Sequence, residues 1–397
     1  MRAVSGRKGK SLDVPGRRVL VYGITAGFAA RPILRGQLAW LVNKGWGVIL
    51  VTGSHESDAF AESEGARPVT IRMKRDPSLV SDVLALAGWI HLLAGLHPQA
   101  VNVGTPKAGF LGMLAAWLVR VPRRVYTMHG LRLETAAGLS AVVLAALERL
   151  TCRLATDVVF VSESLAKEGI RRRLVPPGRS RIIGSGSCNG VDSAGIMLRV
   201  GTIDRDALRS QLGIPADELV VGFMGRVTAD KGIGTLLEAF ETELIVPRVG
   251  LLIIGRIEEP GLLDGAARSS WNLHTVPWSD DPWAWLPAMD LLCLPSLREG
   301  FPNAVLEAAA AGIPAITTRA TGAVDSVVDG VTGFLVDVLD VKALADRINT
   351  LARDSDLREA MGAAARQRVI EAFQPERTWR GLESIINGEL SDDVRRA

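Results

Sequence analysis

Residues 291–307 read LLCLPSLREGFPNAVLE, and this stretch decides the fold class of its half of the chain. The apolar run 291–294, which a proline follows, predicts a buried strand. Pro302 and the small apolar residues after it predict a helix start. Glu299 then lies in the turn and Glu307 in the helix, with seven residues between the two carboxylates. Such a turn can bind hydroxyls and phosphates together, and a charged turn beside one solvated helix residue is the plainer alternative.

Strand and helix patterns alternate along the chain in two separate series. The first series of apolar, β-branched runs lies at 18–23, 48–52, 69–71, 100–103, 124–128, 158–161 and 181–183, with helical patterns such as 33–43, 77–93 and 107–118 between them. A turn-rich stretch at 184–192 and a polar helix at 204–212 interrupt the alternation. The second series lies at 219–224, 250–254, 274–276, 291–294, 314–317 and 334–336. This alternation predicts an α/β chain of two doubly wound, parallel-sheet domains that place ligands at the carboxyl ends of their strands.

The length of 397 residues also favours two domains, because one hydrophobic core rarely grows so large. We expect a basic disordered lead at 1–18, a first domain at 19–200 and a second domain at 201–375, with a hinge near 190–205. Residues 376–397 are expected to form a C-terminal helix that packs back toward the first domain. The lead lacks an apolar segment behind its charges, so it is a poor signal peptide.

The composition of the chain further restricts the functions that it can have. Cys152, Cys188 and Cys293 lie far apart with no CxxC spacing, which argues against a metal site or a disulfide framework and fits a reducing cytosol. No apolar stretch predicts a transmembrane helix. Residues 1–200 hold 27 Lys+Arg against 13 Asp+Glu, whereas residues 201–397 hold 19 against 30. The basic half predicts a contact with anionic lipid or nucleic acid, and surface charge without a partner is an equal alternative.

A second turn, at residues 225–232, carries two cations directly after a predicted buried strand. Its sequence, GRVTADKG, lacks the Lys-Ser/Thr ending of a P-loop, and no GxGxxG follows the first strand of the chain. Arg226 and Lys231 beside a helix N-terminus predict a clamp for a diphosphate, because a guanidinium fork and an ammonium both bind phosphate oxygens. A pair of solvated loop cations is the alternative.

Several motifs resemble one known family when they are taken together. In the second half these are Arg226, Lys231, EGFPNAVLE at 299–307 and the segments 320–322 and 329–336; in the first half they are 105–109, 126–130, 161–162 and 189–192. Over roughly residues 19–375 the chain resembles the retaining glycosyltransferases of family 4, in particular bacterial enzymes of exopolysaccharide, capsule and lipid-linked oligosaccharide synthesis. The resemblance implies the GT-B fold, with two Rossmann-like domains that face each other across a cleft.

The resemblance also implies roles for single residues. The first domain would bind the acceptor and the second the nucleotide sugar, with Arg226 and Lys231 on the donor diphosphate. Glu299 would contact hydroxyls of the donor sugar, and Glu307 would bind the ribose hydroxyls. His129, at the end of a strand of the first domain, would face the donor sugar.

The remaining donor contacts that the resemblance implies involve backbone groups and motifs that match the family only in part. Backbone amides of Gly300, Phe301 and Asn303 would line the sugar and the phosphates. The glycine loop expected after the first strand is only partly present, at Gly27, and Arg256 replaces the usual residue after the strand at 250–254. Four tryptophans, which are Trp271, Trp278, Trp283 and Trp285, surround the expected base pocket, where most of them are interpreted as apolar filler.

By resemblance, the chain is a hexosyltransferase that retains anomeric configuration, with His129, Glu299, Arg226 and Lys231 as its catalytic set. We expect no metal cofactor, because the DxD sequence at 204–206 falls in a polar helix. The expected partners are a nucleotide sugar, for which UDP is favoured over GDP, and a glycan or polyprenyl-linked acceptor. Further expectations are peripheral contact of the basic domain with an anionic membrane, a position at the inner face of the plasma membrane and no nucleic acid.

Two other functions stay open at this point. A glycoside hydrolase could use Glu299 and Glu307 as acid and base, which would leave Arg226 and Lys231 without a task. A catalytically idle nucleotide-sugar-binding partner would bind the donor without transferring the sugar.

Overall fold

The computed structural model describes residues 4–5, 18–74, 78–242, 248–264, 271–277 and 279–397. The chain divides into two compact units, which we call the N-terminal unit (Met1–Asn189 with Pro375–Ala397) and the C-terminal unit (Gly190–Gln374). The boundary lies at Gly190 and not at residue 200, because residues 193–201 form a helix that contacts the C-terminal unit. Apart from residues 4–5 and 18, the expected disordered lead lies outside the described residues. Val4–Ser5 pair with a strand of the N-terminal unit.

The N-terminal unit is built on a nine-stranded sheet. Its strands are β1 (Val4–Ser5), β2 (Arg18–Ile24), β3 (Trp46–Thr52), β4 (Arg67–Ile71), β5 (Ala100–Gly104), β6 (Arg123–Met128), β7 (Asp157–Phe160), β8 (Ser180–Ile183) and β15 (Val394–Arg395). They lie in the order β1-β4-β3-β2-β5-β6-β7-β8-β15, and only the two edge strands run antiparallel to their neighbours. β3 is buried along its whole length, as expected of a parallel strand covered on both faces.

The helices of the N-terminal unit join these strands. They are α1 (Ala30–Leu34), α2 (Gln37–Asn43), α3 (Asp58–Ser63), α4 (Leu79–Leu96), α5 (Pro106–Leu118), α6 (Gly138–Leu154), α7 (Glu163–Arg171) and α14 (Pro375–Asn387). The prediction of one helix over 33–43 is wrong. Gly36 adopts a left-handed conformation (φ 76°) between α1 and α2, where an added Cβ would lie 2.8 Å from the ring of Trp379.

The last helix of the chain belongs to the core of the N-terminal unit. α14 buries Leu382, Ile385 and Ile386 in the same cluster as residues of β2 and β3. The Trp379 indole donates to Asn189 Oδ1 at 2.6 Å. The final residues therefore complete a core that the first strands begin.

The C-terminal unit has a second sheet, which is parallel throughout. Its strands are β9 (Leu219–Met224), β10 (Val249–Ile254), β11 (Leu273–Val276), β12 (Leu291–Leu294), β13 (Ala315–Thr318) and β14 (Gly333–Val336), in the order β11-β10-β9-β12-β13-β14. Its helices are α8 (Ser193–Gly201), α9 (Arg205–Gln211), α10 (Ile233–Thr242), α11 (Asn303–Ala310), α12 (Val341–Arg353) and α13 (Ser355–Ala372). Both units are thus doubly wound and Rossmann-like, as the alternation of strands and helices predicts.

One helix has the length and composition of a membrane span. α4 has 18 residues with a mean hydropathy of 1.8, and 28% of that window is buried. It joins β4 to β5 within one sheet and packs against α5, so its inner face is part of the N-terminal unit. Length and composition alone are weak grounds for a span, because the core helix of a globular domain meets the same criteria.

Candidate functional site

The turns after β9 and β12 meet at the carboxyl edge of the second sheet, because these two strands are neighbours. The Leu297 amide donates to the carbonyl of Asp230 at 3.0 Å and ties the turns together. Gly232 has a φ of 73°, and a Cβ there would run into the carbonyl of Pro295. A glycine is therefore required where the two backbones pass each other.

Lys231 and Glu299, one from each turn, form the centre of this site. Lys231 Nζ lies 2.5 Å from Glu299 Oε1, and the Ser296 hydroxyl donates to the same oxygen at 2.8 Å. Glu299 is 9% exposed and Ser296 is fully buried. Both of these contacts use Oε1. The carboxylate is thus held by one edge and can accept hydroxyl groups on the other.

Arg226 belongs to a second group of charges beside this pair. Its Nη1 lies 3.0 Å from Glu258 Oε2, and its Nη2 lies 4.0 Å from Asp230 Oδ2. Asp230 Oδ2 also accepts from Arg298 Nη2 at 2.9 Å, and the Thr228 hydroxyl donates to Oδ1 at 2.6 Å. Cations and carboxylates alternate, so an incoming phosphate finds positioned donors whose charges are already partly balanced.

The local electrostatics keep Asp230 ionised. Burial alone raises the pKa of its carboxyl, but the Thr228 hydroxyl and the neighbouring cations outweigh burial, so the pKa lies below its ordinary value. An ionised Asp230 can hold Arg226 and Arg298 in place at neutral pH.

A third loop, which follows β13, contacts the turn that contains Glu299. The Glu299 amide donates to the Thr321 carbonyl at 2.9 Å. Gly322 has a φ of 78°, and an added Cβ would lie 2.6 Å from the Glu299 carbonyl oxygen and closer still to that of Gly300. The loop after β13 can approach the turn only because residue 322 has no side chain.

Glu307 lies in the second turn of α11, and its carboxylate is oriented by a tryptophan. The Trp283 indole donates to Glu307 Oε1 at 3.2 Å. α11 begins at Asn303, directly after Pro302, as predicted. The side chain of Phe301 is buried against the ring of Phe373, with the centroids 5.5 Å apart, so only the backbone of Phe301 can serve a ligand.

The residues expected near the nucleotide base do not share one environment in the structure. The Arg256 carbonyl accepts from the Val227 amide at 2.8 Å, so the loop after β10 lies beside the cation turn. Trp271 packs on Phe240, with ring centroids 4.9 Å apart, as apolar filler would. Trp285 has a buried indole nitrogen without a hydrogen-bond partner among the described residues, and Trp278 lies outside them.

The other two predicted site residues, His129 and Gly27, lie in the N-terminal unit. His129 follows β6 directly and lines a cavity of about 30 Å³ with Tyr22, Gln37, Asn102, Thr127 and Cys188. That volume suits one or two water molecules. His129 Nδ1 and Cys188 Sγ lie 3.4 Å apart. Gly27 packs beside Ser54, whose hydroxyl an added Cβ would approach to 2.9 Å.

His129 is neutral at physiological pH. Burial lowers its pKa from 6.5 to about 4, since the imidazolium would lose its hydration without gaining a carboxylate partner. A neutral imidazole can donate one hydrogen bond and accept another, but it cannot supply positive charge.

The structure thus brings seven of the nine predicted residues to the turns after β9 and β12 and to the helix α11, and it puts His129 and Gly27 in the other unit. Sequence reasoning missed the supporting groups Ser296, Asp230 and Glu258, and it missed the roles of Gly322 and Trp283, which it had named. Ser296 and Asp230 stood inside the two turns, which was a usable signal. Glu258 and Trp283 are distant in sequence, and only the fold brings them to their partners.

Comparisons with known proteins agree with this arrangement. A family model described as glycosyl transferases group 1 matches residues 204–368, and one described as a glycosyl transferase 4-like domain matches residues 29–186. The chain is 36% identical over 369 residues to the capsular polysaccharide biosynthesis glycosyltransferase CapM of Staphylococcus aureus, which covers 91% of this chain and 95% of the relative. The chain belongs to the family 4 glycosyltransferases.

Two further similarities bear on this family 4 glycosyltransferase. It is 27% identical over 310 residues to the UDP-Gal:alpha-D-GlcNAc-diphosphoundecaprenol alpha-1,3-galactosyltransferase of Escherichia coli, with 75% of this chain and 78% of the relative covered. The solved structure of Anabaena Alr3699/HepE in complex with UDP and glucose superposes with a TM-score of 0.76 at 18% identity, over 93% of this chain and 99% of that one. The predicted GT-B class is confirmed, and the enzyme is a glycosyltransferase of polysaccharide or lipid-linked glycan synthesis.

Proposed function

We propose that the enzyme transfers a hexose or N-acetylhexosamine from a UDP-sugar, with retention of configuration, to a polyprenyl-diphosphate-linked or other glycan acceptor in bacterial surface polysaccharide synthesis. The contact between Lys231 and Glu299 carries this proposal. A cation suited to phosphate and a carboxylate suited to sugar hydroxyls touch at one strand edge, as the diphosphate and the sugar do in a nucleotide sugar. The printed names of CapM, the Escherichia coli relative and the UDP-bound neighbour support the same assignment.

In this proposal the diphosphate binds Arg226 and Lys231, and Glu299 accepts hydroxyls of the donor sugar through Oε2. Glu307 holds the ribose, and the amides of Gly300, Phe301 and Asn303 line the phosphates at the start of α11. Gly27 of the N-terminal unit contributes a donor contact from the loop after β2.

The chemistry requires no covalent intermediate on the protein. The bond from the anomeric carbon to the β-phosphate oxygen breaks while the acceptor oxygen forms its bond on the same face of the sugar. The departing phosphate oxygen takes the acceptor proton. Arg226 and Lys231 stabilise the charge that develops on the leaving diphosphate, which is the role a metal would otherwise have. Asp204, from the DxD sequence, accepts from backbone amides as the cap of α9.

His129 is assigned a hydrogen bond to the donor sugar, made by its neutral imidazole. The low pKa supports this role over that of a cation or a general base at neutral pH. Removing the imidazole should therefore lower kcat more than it weakens nucleotide binding.

We place the enzyme in the cytoplasm, peripheral to the inner face of the plasma membrane. The N-terminal unit holds 30 Lys+Arg against 17 Asp+Glu, which supports contact with anionic lipid. An acceptor on a polyprenyl carrier would be reached at the same surface.

The decisive experiment tests binding and transfer in sequence. UDP- and GDP-sugars are screened for thermal stabilisation, and each hit is assayed with polyprenyl-diphosphate-linked sugars and with water alone.

Glu299→Gln should lower transfer by at least about a hundredfold, and Glu307→Gln should mainly raise the donor KM. Glu163→Gln, which removes one partner of an exposed ion pair with Lys167, is the matched control. Full activity in Glu299→Gln would refute the site. Donor binding without transfer would favour the idle partner, and hydrolysis of glycans without nucleotide would favour the hydrolase.

A further inference from the structure

The outward face of α4 is aliphatic. Leu79, Val80, Val83 and Leu84 are exposed by 88%, 74%, 66% and 54%. The opposite face packs into the unit through residues such as Trp89 and Leu92. A helix that is apolar all round is usually buried on every side, so an exposed aliphatic face indicates a partner.

The first turns of α6 repeat this pattern. Leu139, Val142 and Val143 are exposed by 79%, 65% and 49%. α4 and α6 pack on α5, and they follow the carboxyl ends of β4 and β6. Their first turns therefore emerge at one edge of the N-terminal unit, the edge at which His129 follows β6. We call the seven exposed residues the aliphatic patch: Leu79, Val80, Val83, Leu84, Leu139, Val142 and Val143.

Charges around the aliphatic patch identify the chemistry of its partner. The acidic residue in α4, Asp82, is neutralised by Lys107 at 2.9 Å. Exposed Arg72 and Lys74 precede α4, and exposed Arg132 precedes α6. Aliphatic side chains with flanking cations match a bilayer that carries anionic headgroups. Two copies of a face bordered by cations would repel each other, which disfavours a second molecule of this chain.

We infer that the first turns of α4 and α6 dock on an anionic bilayer and insert their aliphatic side chains beneath the headgroups. The inference rests on the proposed function and deepens it: the contact is hydrophobic as well as electrostatic, and it lies on two named helices. Docking on this patch would hold the His129 edge of the sheet at headgroup depth, where a polyprenyl diphosphate is presented.

Flotation with phosphatidylcholine vesicles, with and without phosphatidylglycerol, tests this inference on the full chain. The double variant Val83→Asp/Val142→Asp should reduce partition onto the anionic vesicles by at least about tenfold at both low and high salt. The double variant Arg72→Ser/Lys74→Ser should reduce partition at low salt only. Leu198→Asp, on an exposed site of α8 in the C-terminal unit, is the matched control and should bind as the unaltered chain does.

The possible outcomes separate the inference from the proposed function. Unchanged flotation of the Val83→Asp/Val142→Asp variant would overturn the inference. UDP-sugar stabilisation should be the same in every variant, because the patch lies outside the donor turns. If no nucleotide sugar stabilises the chain while the patch still governs flotation, docking stands and the proposed function fails.

Discussion

Glu299 is held through one of its two carboxylate oxygens, and these contacts fix the orientation of the carboxylate. Lys231 and Ser296 both use Oε1, while the Glu299 amide is fixed to Thr321. A fixed carboxylate loses little conformational freedom when a sugar binds, so hydroxyl contacts made through Oε2 contribute more of their strength to binding.

Under the proposed function, the indole of Trp283 acts on the donor through Glu307, to which it donates a hydrogen bond. Trp283→Phe removes the hydrogen bond to Oε1 and should raise the UDP-sugar KM by roughly three- to tenfold, the worth of one hydrogen bond, with kcat within about twofold. Steady-state kinetics measure both constants. Trp285→Phe is the matched control, because its indole nitrogen has no hydrogen-bond partner among the described residues. A fall in kcat with unchanged KM in Trp283→Phe would contradict a positioning role.

Gly322 allows the loop after β13 to reach the Glu299 turn. Gly322→Ala should lower transfer by at least about tenfold, because the new Cβ would displace the carbonyls of Glu299 and Gly300. Gly330→Ala is the control: it has a similar φ of 75° but nothing within 4 Å of the added Cβ. It therefore bears the backbone strain without the clash. Equal losses in the two variants would show that strain alone is responsible.

At the scale of elements, α6 is joined to β6 by a buried ionisable pair. The Tyr126 hydroxyl donates to Glu148 Oε2 at 2.9 Å, and burial raises the pKa of Glu148 to about 7. The folded state therefore binds this proton more tightly than the unfolded state. Stability from this group is fully present below about pH 4.5 and is lost as the pH rises through 7.

A neutral replacement of Glu148 should remove that loss. Glu148→Gln should stabilise the chain at pH 8 by up to about 3 kcal/mol and change little at pH 4.5, since Gln resembles the protonated carboxyl. Urea unfolding at several pH values measures this. Exposed Glu163→Gln should show no comparable gain. A Glu148→Gln variant that is less stable at pH 8 would mean that the ionised carboxylate is favoured by the fold.

The strands and the kind of site could be predicted from the sequence pattern of single elements. The contacts between distant elements could not. β9 and β12 are continuous apolar runs that end at turns with charged residues, so sequence alone placed Arg226, Lys231 and Glu299 at strand ends. The prediction of one helix over 33–43 is wrong because Trp379, which lies in a helix more than 300 residues away, packs closely on Gly36. The local sequence does not reveal such a tertiary contact. Trp283 was grouped among four tryptophans, most of which were interpreted as filler, because its contact with Glu307 is set by the fold.

At the scale of the whole molecule, the chain leaves the N-terminal unit at Asn189 and returns to it at Pro375. Ile385→Ala should destabilise that unit by roughly 2–5 kcal/mol, because Ile385 is buried in its core. Hydrogen exchange should report lost protection in β2 and β3, while UDP-sugar stabilisation of the C-terminal unit persists. Exposed Leu390→Ala is the control. Equal loss of protection in both units would show that they unfold as one.

The position of α14 also has a consequence for synthesis. Domains made first on the ribosome generally fold first. Here the N-terminal core cannot be completed until α14, which shares one buried cluster with Leu20 and Leu50, has been made, and α14 is translated after the whole C-terminal unit. A nascent chain can finish its C-terminal unit before its N-terminal unit. The units can thus be completed in the reverse of the order in which they begin, and a chain that stops before α14 would expose an unfinished core to proteolysis.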